Sequence, residues 1–188
     1  GLVYEFKIRE GVYFHKHPGF GNKKTRRVTA SDFVYSLKRL SDPQLASPGG
    51  WVLQNVKNIE AKNDRQLTIT LKKPFPAFLG LLSMRYCSVI PYEIANLKGV
   101  DFRKNPIGTG PFAFKNWEEN VKLVLRKNPL YFERDEKGEA LPYLEAVAIT
   151  FVPDKQSEFM LFLQGKLDLL NSLDNSYKDE LLTQEGQL

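Results

Sequence analysis

The sequence predicts a mixed α/β fold, and three patterns carry that prediction. Leu2, Tyr4, Phe6 and Ile8 alternate with Val3, Glu5, Lys7 and Arg9, and Leu67, Ile69 and Leu71 alternate with Thr68 and Thr70, the period of strands with one wet face. Phe33, Leu37 and Leu40, with Val34, fall on one side of a helix. Toward the end, an apolar run over residues 146–151, a helical stripe of Phe159, Phe162 and Leu163, and a second apolar run over residues 167–170 follow one another. That succession reads as a right-handed βαβ crossover with parallel strands, in a mixed sheet with flanking helices.

In chain order, the opening strand continues through residues 12–15 into a loop holding Lys16, Lys23, Lys24, Arg26 and Arg27. Thr29 starts the first helix: its hydroxyl can cap the first turn, and Asp32 sits near the helix's positive end. Ser41-Asp42-Pro43 stops it. In Pro48-Gly49-Gly50-Trp51 a flexible glycine pair presents a large indole, with Val52 and Leu53 behind it. Trp51 reads either as a core anchor or as a ligand-facing platform. Strands over 56–61 and 67–71 turn around Asn63-Asp64 and end at Pro74-Phe75-Pro76. A short helix over 77–82, a strand over 88–90 and a helix from Pro91 to Asn96 follow. Strands over 112–117 and 121–126 form a second hairpin around Glu118-Glu119-Asn120. Asp154 is the N-cap of the late helix, which ends at Gly165, and a last helix begins near Ser176. Ligands of parallel sheets gather beyond the carboxyl ends of the strands, which makes Asn171 and Ser172 candidate ligand contacts; turn chemistry is the competing reading. Residues 1–85 thus form a hairpin-rich sub-domain with a capped helix, and residues 86–188 an α/β part with the βαβ unit.

Composition excludes several function classes. With 42% hydrophobic and 26% charged residues in 188, the chain is neither disordered nor a membrane span, and no apolar run approaches the ~20 residues a spanning helix needs. A net charge of +5 and a pI near 9.2 permit an acidic partner. The basic loop, however, carries no helical stripe of charge and no interleaved aromatics, so a solvated loop is preferred to a nucleic-acid patch. His15 and His17 project alike from a strand, yet no third ligand lies nearby, and no metal site is assigned. Cys87 is the sole cysteine and cannot form an internal disulfide. No nucleophile elbow, zinc-binding helix motif or nucleotide fingerprint is present, and Glu133 and Asp135 read as a solvated charged loop. A non-enzyme without a cofactor is expected.

The chain is organised around Asn105-Pro106-Ile107-Gly108-Thr109-Gly110-Pro111-Phe112. Pro106 and Pro111 exclude helix while the glycines permit a sharp turn, and Phe112, Phe114 and Trp117 leave it as a strand. No helix opens from this loop, so a phosphate cradle fails on context. The octapeptide resembles a signature of the family 5 extracellular solute-binding proteins, the peptide, dipeptide and nickel receptors of ABC importers. Two further stretches match in order: residues 6–14 followed by residues 28–39, and Leu163-Gln164-Gly165-Lys166-Leu167-Asp168.

The resemblance implies part of a type II periplasmic-binding-protein-like lobe, an internal fragment whose second large lobe is absent, with residues 86–188 belonging to the main α/β lobe. It implies a substrate-binding component that captures peptides, or similar oligomers, between two lobes and delivers them to ABC permease subunits. The full-length protein would be a monomer at the periplasmic or cell surface, anchored as a lipoprotein. The implied ligand contacts are Gly50, Trp51, Asn171 and Ser172, with no nucleic acid as partner. The rival readings are a basic nucleic-acid-binding module resting on residues 23–27, then an unrecognised hydrolase using His15 or Cys87.

Overall fold

The computed structural model describes residues 1–99 and 101–177. The opening alternation becomes β1 (Val3–Lys7), with Tyr4 and Phe6 turned inward and Val3, Glu5 and Lys7 outward. Two further strands, β2 (Val56–Asn63) and β3 (Gln66–Leu71), form the expected hairpin, and β3 lies between the other two in an antiparallel sheet of order β1-β3-β2. The register sets Tyr4 opposite Ile69 and Phe6 opposite Leu67. At the hairpin turn the Asn63 side chain accepts the Arg65 N–H at 2.9 Å.

Helix α1 (Ala30–Leu40) packs on β2 and β3, burying Ala30 and Leu37 against Leu67, Ile69 and Leu71. Each such aliphatic side chain removed from water contributes about 1.5–3 kcal/mol. Phe78 of the short helix α2 (Phe78–Leu82) joins this core, its ring 5.1 Å from that of Tyr4. Helix α3 (Tyr92–Ala95) buries Ile94 in a second core with Phe14 and Ile107. The strand expected over residues 88–90 is not formed; Ile90 donates its N–H to the Ser36 hydroxyl of α1 at 2.9 Å instead.

Strands β4 (Phe112–Glu118), β5 (Lys122–Lys127) and β6 (Ala146–Thr150) make a second three-stranded sheet, in that order. Asn120 takes a left-handed conformation at the tip of the β4-β5 hairpin, φ 59°. The bonds from Lys127 N–H to the Glu145 carbonyl and from Phe151 N–H to the Val121 carbonyl make β5 and β6 antiparallel. Helix α4 (Lys155–Leu163) starts as expected, with the Asp154 carboxylate accepting the Ser157 N–H at 2.6 Å. It stops as expected too, with Gly165 at φ 67°. Phe159 is its buried anchor and stacks on Tyr177 at 4.4 Å, whereas Leu163 is exposed.

The βαβ unit is not formed. Residues 167–170 are not a strand, and β6 pairs with the antiparallel β5 rather than with a parallel neighbour. The run reads as a strand because Leu167, Leu169 and Leu170 are apolar, but a strand exists only where its N–H and C=O groups meet a partner, and Leu169 is 82% exposed. Both sheets among the described residues are antiparallel, so the expected mixed sheet is not seen there. The final helix is represented by the single turn Asn175–Tyr177; the rest of that expectation lies outside the described residues.

Contacts divide the chain into one unit of residues 1–115 and 125–147 and another of residues 116–124 and 148–188. This partition differs from a cut after residue 85, because Tyr86 and Cys87 pack on the same core as β3 and α1.

Candidate functional site

The Gly49-Gly50-Trp51 segment is positioned by close approach. A Cβ on Gly49 would lie 2.6 Å from Cβ and Cγ of Tyr86, and one on Gly50 would lie 2.8 Å from the Leu40 carbonyl oxygen at the end of α1. Only glycines let this backbone settle there. The following 3-10 turn, Gly50–Leu53, directs Val52 and Leu53 into the core and leaves Trp51 47% exposed. Trp51 is therefore not a core anchor. It offers a large, stiff, flat apolar face with one N–H donor, the kind of group that stacks on a ligand.

The same unit contains a cavity of about 670 Å³ that the sequence did not announce. Phe33 and Leu37 of α1, Leu67 and Ile69 of β3, the corner at residues 108–110 and Phe132 line it. Its size is that of a small-molecule site. Its only trace in the sequence is the Gly-Thr-Gly corner, because the other walls meet through contacts between distant residues. The Arg9 guanidinium lies over the Phe132 ring at 4.9 Å. Cys87 also lines the cavity, and burial pushes its thiol pKa up, away from the reactive thiolate.

The two arginines of the basic loop are held by intramolecular interactions. The Arg26 guanidinium donates to Asp32 at 2.8 and 2.6 Å, to Glu93 through both Nε and Nη2, and to the Arg27 carbonyl. Its carbon lies over the rings of Phe14, Phe20 and Tyr92. Hydrogen bonding to Asp32 raises the Arg26 pKa, against the opposing effect of burial, and Glu93 adds to the rise. Asp32 is 1% exposed and also accepts the Thr29 N–H and hydroxyl at 2.8 and 3.1 Å, so the expected helix cap doubles as the floor of an ion cluster. Arg27 donates to the Tyr13 hydroxyl at 2.9 Å. Of the four cations at residues 23–27, Arg26 is thus neutralised by two carboxylates and Arg27 is bonded at the surface to a neutral hydroxyl, which reduces what a polyanion would grip.

The two histidines part ways. His17 turns back to accept the Gly19 N–H at 3.0 Å, while His15, 6% exposed, points at the Gly110 carbonyl at 2.9 Å. His17 is the last extended residue before the turn at Pro18, and its ring caps that turn, whereas the His15 ring is taken up by the corner. Among the described residues no group of three His, Cys, Asp or Glu side chains is placed to hold a metal ion.

Asn171 and Ser172 lie in the second unit, both exposed. Without a parallel strand over 167–170, the positional argument for them lapses, and only the resemblance speaks for a ligand role. Gly50 and Trp51 are neighbours in one turn of the first unit.

Comparison with known proteins follows this geometry. The sequence model described as "Bacterial extracellular solute-binding proteins, family 5 Middle" matches residues 1–187. The chain is 31% identical over 187 residues to "Probable di/tripeptide-binding protein 5" of Pseudomonas aeruginosa (strain UCBPP-PA14), covering 90% of this chain and 34% of that protein. Among solved structures it superposes with TM-score 0.83 and 29% identity on the periplasmic binding protein DppA from Helicobacter pylori in complex with peptide STSA, covering 96% of this chain and 37% of that one. It also superposes with TM-score 0.72 and 27% identity on NikZ from Campylobacter jejuni in complex with Ni(L-His), covering 89% and 31%. The chain spans about a third of the length of these relatives. No helix among the described residues is long and apolar enough to cross a membrane.

Proposed function

The chain belongs to the bacterial extracellular solute-binding proteins, family 5, and on that footing we propose that the complete protein is the substrate-binding component of an ABC importer. It captures a short peptide or a similar small oligomer between two lobes and hands it to permease subunits in the membrane. It acts as a monomeric receptor without catalysis, held at the periplasmic or cell surface by a lipid anchor. The family match over residues 1–187 is the observation that carries the reading. Within this chain, Gly50 and Trp51 form one contact region, the glycine holding the turn down so that the indole faces outward; Asn171 and Ser172 are proposed as polar ligand contacts on the family resemblance alone. Peptide held through its main chain tolerates varied side chains, and a flat aromatic face suits that tolerance.

The relatives' ligands range from a peptide to a nickel complex, so the test discriminates between them. Isothermal titration of the full-length protein is carried out with pooled di- to pentapeptides and separately with Ni(L-His). Binding of peptides and not of the nickel complex is the expected result. Trp51→Ala in the full-length protein weakens peptide binding while the melting temperature changes little, since so exposed a side chain contributes little to the core. A full-length protein that binds neither ligand class would overturn the proposal, and unchanged affinity in the variant would remove Trp51 from the site.

A further inference from the structure

The corner at residues 105–112 is gripped by two buried neutral side chains. The Gly110 carbonyl accepts from His15 Nε2 and from Asn128 Nδ2, each at 2.9 Å. The Pro111 carbonyl accepts the Asn128 N–H and the Gly108 carbonyl the His15 N–H, both at 2.8 Å. His15 and Asn128 are 6% and 3% exposed, so the donor side of these bonds is withdrawn from water.

One bond in this set depends on the state of the ring. A carbonyl oxygen can only accept, so Nε2 of His15 carries the proton. The neutral ring then turns the lone pair of Nδ1 toward the Gly108 N–H, 3.4 Å away. A second proton would set an N–H against an N–H and place an imidazolium in a buried site. We propose that His15 is an acid-operated latch: its neutral ring holds the corner at residues 108–110, and its protonation releases it.

The surrounding groups leave the ring to respond to burial. The corner carries no ionisable side chain over residues 105–111, and Asn128 is neutral. Lys127 beside it pairs with Glu145 at 3.0 Å. On the histidine's own segment stand Lys16 and His17, the latter turned to Gly19. The segment hydrogen-bonded to it carries Lys24, Arg26 and Arg27; Arg26 is neutralised by Asp32 and Glu93, and Arg27 is bonded to Tyr13. Burial lowers the His15 pKa from 6.5, and the Gly110 carbonyl partly opposes it. The folded pKa therefore lies below the unfolded one, and the unfolded chain takes up the proton first. The stabilisation is complete above 6.5 and is lost as pH falls through the lowered folded value.

This device is independent of the ligand that the complete protein carries. The test is hydrogen exchange of this chain from about pH 8 to about pH 5, following the amides of residues 107–110 and 112 relative to those of β3, so that the intrinsic pH dependence of exchange cancels. In the wild type, relative protection of the corner falls about fivefold to tenfold on acidification, the value of one lost hydrogen bond. In His15→Gln, whose amide can still donate to Gly110 but does not titrate, relative protection stays flat with pH. Equal acid sensitivity in the variant, or a wild-type corner as protected in acid as at neutral pH, overturns the latch. An NMR titration of the His15 ring in the wild type needs no variant: its midpoint coincides with the loss of corner protection, and midpoints that disagree overturn the proposal equally.

Discussion

Replacing Asp32 with Asn tests the Arg26 cluster by changing charge and donor pattern at nearly constant volume. The native carboxylate accepts four hydrogen bonds, two from Arg26 and two from Thr29, at 1% exposure. The amide keeps one acceptor oxygen and turns an NH₂ group toward donors that also present N–H. Removing one partner of a buried ion pair costs about 3–5 kcal/mol. Here Arg26 is about a quarter exposed and keeps Glu93, so the expected loss is reduced to about 2–3 kcal/mol. For a chain of this length that corresponds to a fall in melting temperature of about 4–12 °C. Thermal unfolding followed by circular dichroism reads it directly, and the cycle with Arg26→Met isolates the pair, because the double variant should lose at least about 1 kcal/mol less than the sum of the singles. A loss under about 1 kcal/mol for Asp32→Asn, or strict additivity in the cycle, would refute the claim that these groups act together.

Other outcomes follow from the same structure. Gly49→Ala drives a Cβ into Tyr86 and should destabilise by about 1–3 kcal/mol, whereas Gly80→Ala in α2, which meets nothing within 4 Å, should be neutral or stabilise by up to about 1 kcal/mol; chemical denaturation of the two variants compares them. Asp154 has its pKa lowered, first by the Ser157 hydroxyl and then by backbone N–H groups, so its cap is in place above the ordinary carboxyl pKa of 3.8 and fails as pH falls through the lowered value. Asp154→Ala should raise amide exchange at residues 155–158 at neutral pH and leave β3 unaffected. Cys87, its pKa raised by burial, should be alkylated at neutral pH more slowly than a free thiol, and mild urea should abolish the difference.

What could be read from the residues was mostly local. Thr29 and Asp32 announce the start of α1 because a helix cap is built within four residues, and Asp154 and Gly165 bracket α4 for the same reason. Arg26 gives no such signal: Glu93 stands 67 residues away, and only the fold makes the basic loop an internal cluster. The strand expected over 167–170 failed on the same ground, since alternation describes a face but cannot name the neighbour that a strand requires. Trp51 was ambiguous until the contacts of Gly49 and Gly50 showed which way its turn is pressed. His15 and His17 looked like a pair because they are two residues apart, but each ring is claimed by a different partner, Gly110 for one and the Gly19 N–H for the other.

Strand β1 has one sheet neighbour, β3, and among the described residues nothing pairs with its opposite edge. That flank exposes a row of amides and carbonyls next to Leu2 and Val3, both large apolar residues in contact with solvent. Handled at high concentration, this chain therefore has a place to recruit a copy of itself by adding strand to strand. Lys7 stands outward on the same strand, and an edge lysine discourages such pairing because adding a strand would bring its charge against the incoming chain, so Lys7→Val should favour self-association.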